Sequence, residues 1–473
     1  MERREFLTLL GQAGLYTAAL KAPLLLPRAA SAAAGFQAID GVTVKPAKAK
    51  AVVLIWLAGG MAHTETFDPK PVVPFSKGLD SRMVLSTFPA IPTSVDGLQI
   101  SKGLENIAQV MDRAALIRTV QGPDLGPVLH TRHQYHWHTG YVPPLTVLAP
   151  HMGAWITQTL GPRNDYAPPF VEIGQGFSFT GAEEVRAYFT GGFLGSEYGP
   201  LHIERPTEAT KRLTPPKKLG REGLQKRLEL HKEAVESSGR EMSDYHQQSL
   251  LRSMMRTQKL LFSPALNAFQ IDQEPKDSYD AYNTGDFGLG CLLARRLVEA
   301  GSRFVEVTSE YVPFGTWDTH KNGHTRTKVL KQLVDRPIAK LVLDLEERGL
   351  LDETLVVVAS EFSRVAGRNP GQQQKKEGNL YLTQPSHYGL HRHFIGAGSV
   401  VLFGGGVKGG TVYGETAPEF PCDAVKDPVT VSQVHATIYQ LLGIPPDFGY
   451  EVEDRPFYVT KDAKGTTISP VIA

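Results

Sequence analysis

The stretch "AVVLIWLAGG", Ala51–Gly60, decides the fold. Eight apolar residues run without alternation and stop at two glycines. A strand with one wet face alternates apolar and polar residues. An unbroken apolar run is how a strand covered on both faces reads, and such strands belong to parallel sheets with helices on either side. Working outward, four more segments read the same way: "AALIRTV" (Ala114–Val120), "SRFVEVTS" (Ser302–Ser309), "TLVVVASEF" (Thr354–Phe362) and "GSVVLFGGG" (Gly398–Gly406). An amphipathic stretch, Phe287–Ala300, precedes the third. A helix over Val329–Gly349 precedes the fourth, with Leu341, Leu343 and Leu345 near its end and Gly349 as its stop. Strands alternating with helices predict an α/β fold: a doubly wound, mostly parallel sheet flanked by helices.

The ends and composition bound the rest. "RREFL" (Arg3–Leu7), a weakly apolar stretch from Leu9 to Leu26 and the small residues "AASAAAG" predict a twin-arginine (Tat) signal peptide over residues 1–34. A linker follows over 35–50, then one α/β domain over 51–473. Within it, residues 207–260 are rich in Lys, Arg, Glu and Gln and predict a helical insertion over the sheet, with a coiled-coil arm as the alternative. No later stretch reaches the ~20 apolar residues of a spanning helix. The mature protein is therefore expected in the periplasm or outside the cell, with no transmembrane segment. Charge is balanced, with 50 Lys+Arg against 49 Asp+Glu, and this gives no basis for a nucleic-acid partner. The two cysteines, Cys291 and Cys422, allow one bridge or two buried thiols. "GGGVKGGT" (Gly404–Thr411) is not a phosphate loop. Gly409 stands where the Ser or Thr after the lysine is needed, so the segment reads as a tight turn.

Ligands gather at the carboxyl ends of strands in open α/β sheets. After the first strand come His63, Glu65 and Asp68. After the second comes "HTRHQYHWHTG" (His130–Gly140), and after the third "WDTHKNGH", with Asp318 and His320. The fourth strand ends at Glu361, and "SHYGLHRH" before the fifth carries His387, His391 and His393. Five segments thus bring carboxylates and imidazoles to one edge, a donor set suited to Zn²⁺ or Mn²⁺. Simpler readings exist for each: an Asx turn at Asp318, a structural pair of Glu361 with Arg364, and surface positions for His387 and His391. His133 and His136 share a helix face at i,i+3, with Tyr135 and Trp137 turned to the core. His136 and His138 read as helix packing and surface.

Five motifs in order resemble a known family: "LIWLAGG…HTETFDPKP", "WDTHKN", "ERGLLDETLVVVASEFSR", "GGGVKGGTVYGET" and "VHATIYQLLGI". They resemble the secreted bacterial proteins called domain of unknown function 1501, a family similar in fold to sulfatases and alkaline phosphatases. The resemblance spans about residues 50–460. It implies an alkaline-phosphatase-like sheet and one or two divalent ions, Zn or Mn first, with Ca or Mg as alternatives. The ligands it implies are Asp68, Asp318, His320, Glu361 and His393. The chain departs from the pattern at four places. Ala58, Gly59 and Gly60 occupy the place where the resemblance implies the first strand's metal-binding acid. Glu65 replaces the first Asp of Asp-Thr-Phe-Asp-Pro-Lys-Pro, Phe362 replaces the His of Asp-His-Gly, and Arg392 replaces the Asp before the later His. Ten residues before Gly140, where sulfatases keep their nucleophile, stands His130. That makes His130 and Thr131 the catalytic candidates, with His130 also a possible ligand, and Lys70, His133 and Arg364 the substrate-binding ones. The implied function is an exported metal-dependent hydrolase of small-molecule or glycan phosphate or sulfate esters. The alternative is a non-catalytic extracytoplasmic binding protein on the same fold.

Overall fold

The computed structural model describes residues 37–38, 42–142, 147–175, 189–214, 220–237, 244–309, 316–367, 380–452 and 455–473. The predicted signal segment lies outside them. At the centre is an eight-stranded sheet. In chain order its strands are β1 (Ala51–Trp56), β2 (Ala114–Ile117), β3 (Phe170–Ile173), β4 (Leu201–Ile203), β5 (Phe304–Thr308) and β6 (Thr354–Ala359). A small hairpin, β7 (Ser363–Val365) and β8 (Arg392–Phe394), follows and lies outside the sheet. β9 (Val400–Phe403) and β10 (Thr411–Tyr413) complete the sheet. Its order is β10-β2-β9-β6-β1-β5-β3-β4.

β1 lies inside the sheet, parallel to both β6 and β5. Its residues alternate between two cores. Ala51, Val53 and Ile55 face one, with α5 (Asp286–Ala300) and α6 (Gly323–Glu347). Val52, Leu54 and Trp56 face the other, with α1 (His130–Thr139), α2 (Met152–Leu160) and α7 (Val431–Leu441). Burial on both faces is why the sequence shows no period of two. The mostly parallel, doubly wound α/β architecture is the observed one.

Only β9 runs against the rest, antiparallel to both β6 and β2. The reversal has a consequence for the site. The start of an antiparallel strand lies at the same edge as the ends of its parallel neighbours. The segment before β9 therefore arrives where β1, β5 and β6 finish.

The sequence reading missed β3, β4 and β10. β4 and β10 are three residues each, and β3 carries Glu172 in its middle. The 207–260 segment does hold helices, α3 (Gly220–Ser237) and α4 (Asp244–Leu261). Leu224, Leu228, Leu250, Leu251 and Met254 from them join the first core. The expected linker contains a short strand, Gln37–Ala38, paired with Tyr450–Glu451. Cys291 and Cys422 are both free and buried. Gly404, Gly405 and Gly406 all have positive φ, as a tight turn demands. Among the described residues no helix is long and apolar enough to cross a membrane.

Candidate metal centre

Four side chains converge at the carboxyl edge. His130, Asp318, His320 and His393 each offer one donor atom, and these atoms lie within 4.8 Å of one another. His130 is the first residue of α1. Asp318 and His320 sit in the loop after β5, and His393 is in β8. The three imidazole Nε2 atoms stand 3.2, 2.8 and 3.5 Å from Asp318 Oδ1, for His130, His320 and His393 respectively. Four donors held at about 2.0–2.1 Å from one ion in a tetrahedron lie about 3.3 Å apart. The three spacings to Asp318 Oδ1 bracket that edge.

Two of the three rings are held in the tautomer an ion needs. His130 Nδ1–H donates to Glu361 Oε1 at 2.6 Å, and His393 Nδ1–H donates to the Val128 carbonyl at 2.7 Å. Both bonds leave Nε2 as the inward lone pair, the arrangement that carboxylate and carbonyl partners give to metal-binding histidines. Asp318 is also paired with Arg364. Burial disfavours the Asp318 carboxylate, but the three histidines and Arg364 hold it far below the usual carboxylate range. Burial likewise pulls on the His130 imidazolium. Its bonds to Asp318 and Glu361 win, and its pKa is pushed up to about 9. A proton at His130 is thus what two carboxylates attract when no other cation is present. The side chains of His320 and Asp318 are 31% and 17% exposed, so the centre is open to solvent.

The other candidates fall elsewhere. Glu361 is one bond behind the donors. It accepts from His130 and from the Gly59 N–H at 2.9 Å, and it does not pair with Arg364. Asp68 is not in the cluster. Its carboxylate is taken by Lys70 Nζ at 3.1 Å, Arg118 Nε at 3.5 Å and the Thr416 hydroxyl. The same contacts occupy Lys70, which also donates to Thr416 Oγ1 at 2.6 Å. Arg364 is buried and donates to two backbone carbonyls besides Asp318, so it faces protein where the sequence reading has it facing substrate. His133 is buried. Its Nδ1–H donates to the Leu129 carbonyl at 2.9 Å, and its ring packs edge-on against Phe362. Thr131 is half-buried in the first turn of α1. His391, expected at the surface, is buried and accepts from the Gly323 N–H at 3.0 Å. Gly59 is the contributor that side-chain reasoning missed. Its φ is 110°, and a Cβ there would collide with the backbone of Asp318.

A second three-donor group, His138, His151 and Glu306, is fully buried between β5 and helices α1 and α2. His138, expected at the surface, is therefore a core residue. Hydrogen-bond bookkeeping makes this group an ion pair and not a metal site. His151 Nδ1 accepts from the Gly153 N–H at 2.9 Å, so its proton is on Nε2, which lies 3.1 Å from Glu306. His138 Nδ1 faces the Gln134 carbonyl at 2.8 Å and its Nε2 faces Glu306 at 2.9 Å. His151 has no lone pair left for a cation, and the two remaining donors are fewer than a metal site takes.

A family model described as "Protein of unknown function (DUF1501)" matches residues 49–472. No curated protein matches the chain. Among solved structures the chain is similar to a protein in the alkaline phosphatase superfamily from Vibrio parahaemolyticus. Identity is 14%, coverage 98% of this chain and 87% of that one, and TM-score 0.35. It is also similar to the lipoteichoic acid synthase from Listeria monocytogenes, at 10% identity over 89% and 79% with TM-score 0.34. The alkaline phosphatase from the Antarctic bacterium TAB5 is another, at 11% over 78% and 95% with TM-score 0.32. Likeness at these scores carries no argument about chemistry.

Proposed function

The chain belongs to the DUF1501 family of proteins of unknown function, and from its metal centre we propose an exported metal-dependent hydrolase of phosphate or sulfate esters. The observation that carries this is the convergence of three Nε2 atoms and one carboxylate at the carboxyl edge of the sheet, with His130 and His393 braced from behind. The ligands in this reading are His130, Asp318, His320 and His393, and Glu361 orients His130. A bound divalent ion, Zn²⁺ or Mn²⁺ by its donors, supplies Lewis-acid polarisation of an ester oxygen. The start of α1 adds to this. Leu129 gives it no side-chain cap, and the positive end of its dipole suits an anionic ester. Thr131, beside His130 in that first turn, is the hydroxyl this reading assigns to attack. Export rests on the twin-arginine segment, and the substrate is a small-molecule or glycan ester.

One feature favours the second reading, a binding protein without turnover: Lys70 and Arg364 are both committed to protein partners. The two readings separate in one experiment. Purified protein is screened with phosphate mono- and diesters and sulfate esters in Zn²⁺ or Mn²⁺. Turnover that Asp318→Ala and His320→Ala abolish is expected. Bound metal without turnover on any ester would leave the binding protein, and protein that binds no metal would end both forms of the metal reading.

A further inference from the structure

We infer that Arg364 is a positioning residue of this centre, its guanidinium standing in for a second cation against Asp318 and limiting the centre to one ion. This rests on the metal-centre reading above. In two-metal sites a shared carboxylate holds two cations about 4 Å apart. Here Asp318 Oδ1 is shared between the three Nε2 atoms and Arg364. One of the two cation places is filled by the protein itself.

The guanidinium cannot leave that place. It is 1% exposed, and every one of its nitrogens is used. Nε and one terminal nitrogen donate to the Gly59 carbonyl at 3.0 and 2.7 Å, and the other terminal nitrogen donates to the His391 carbonyl at 3.1 Å. A rigid planar fork suits that pattern and a lysine would not reproduce it. Gly59 closes the arrangement into a ring. Its carbonyl holds Arg364, while its N–H holds Glu361, which holds His130, whose Nε2 faces Asp318. The Gly60 loop packs against the guanidinium, since a Cβ on Gly60 would lie 3.2 Å from Arg364 Nε. Arg364 and His393 are also direct partners across the β7–β8 hairpin, so one hairpin delivers both a ligand and the brace.

Charge leads to the same conclusion. Asp318 and Glu361 carry two negative charges and Arg364 one positive. A single divalent ion takes this group to a net +1. A second ion would raise it to +3 beside a fixed cation, and the described donor group has only four members, all used by the first ion.

The test is a metal titration of the full chain after chelator treatment, with Zn²⁺ and with Co²⁺ read by its ligand-field bands. Wild type is expected to bind one ion per chain. Arg364→Gln should bind it roughly 10- to 100-fold more weakly, with shifted Co²⁺ bands because Asp318 is released. Arg364→Lys, which keeps the charge but not the fork, should recover part of the affinity. If Arg364→Gln does not fold, the wild-type stoichiometry and the Lys variant still decide. Two ions per wild-type chain, or one ion held by both variants with wild-type affinity and spectrum, would overturn the role of Arg364 and leave the centre standing. No bound ion at all would overturn the centre with it.

Discussion

Glu361 touches no ion position and still controls one. Burial alone would raise its pKa, but the bond from His130 keeps it ionised and below its ordinary value. It therefore fixes which His130 nitrogen faces inward. Glu361→Gln keeps an oxygen for His130 Nδ1–H but removes the charge, and Glu361→Ala removes both. We expect Zn²⁺ affinity to fall about tenfold in Glu361→Gln and roughly a hundredfold in Glu361→Ala, measured by competition with a chromophoric chelator. Equal affinity in wild type and Glu361→Ala would mean His130 is positioned by α1 alone. At this scale much of the site was legible. Asp318, His320 and His393 are named by residue type and place after a strand or before one. Asp68 has the same credentials and fails, because Lys70 and Arg118 reach its carboxylate first. Nothing in the local sequence ranks an acid by the cations that distant segments bring to it. Gly59 was invisible for a simpler reason, since it acts through its backbone.

Helix α1 joins the centre to the core. His130 begins it, and His138, eight positions on and so about 12 Å along the axis, meets Glu306 of β5. Glu306 shares its face of β5 with Phe304 and Thr308 and stands beside Glu172 of β3 in register. Two acids side by side in a buried sheet are tolerable only because each has histidine partners: His138 and His151 for Glu306, His202 for Glu172. Burial opposes the Glu306 charge, yet these partners hold its pKa at about 2. The apolar run "SRFVEVTS" announced the strand but not why it tolerates an acid, since both partners come from other segments. Removing one member of such a buried pair costs about 3–5 kcal/mol. Glu306→Ala should lose that much by urea denaturation. It should also weaken metal binding, because the far end of α1 is unpinned. A stability loss with metal affinity intact would show that His130 is held locally, by Glu361, and that the helix transmits nothing.

Five of the eight sheet strands could be read in advance, and they are the ones with long apolar runs; the edge strands β4 and β10 are too short to carry a signal. The reversed direction of β9 was not readable, because a strand's neighbours are set by the whole sheet. The same global packing buries histidines far beyond the centre. Burial lowers His63, His136 and His151 to about 4 and His435 to about 3. Three of these belong to or abut the α1, α2 and α7 layer. Unfolded, each titrates near 6.5. Above that pH neither state takes up the proton and the fold keeps its full stability. Below it the unfolded chain binds protons that the folded chain refuses until about pH 4, so stability falls across that window at about 1.4 kcal/mol per unit for each group. His138 and His130 run the other way: carboxylate partners raise both against the pull of burial, so their contribution grows as the pH falls toward 6.5 and adds no slope below it. The depressed carboxylates act later: Glu306 and Asp68 keep their contribution until the pH drops below the ordinary carboxylate range. Melting temperature measured with chelator present, so that ion release plays no part, should hold or rise from about pH 8 to 6.5, as His130 and His138 take up protons that the unfolded chain does not. It should then drop by at least about 5 °C by pH 5. A curve that stays level to pH 4.5 and falls only with the carboxylates would mean that the α1–α2–α7 layer admits water and its histidines are not buried bases.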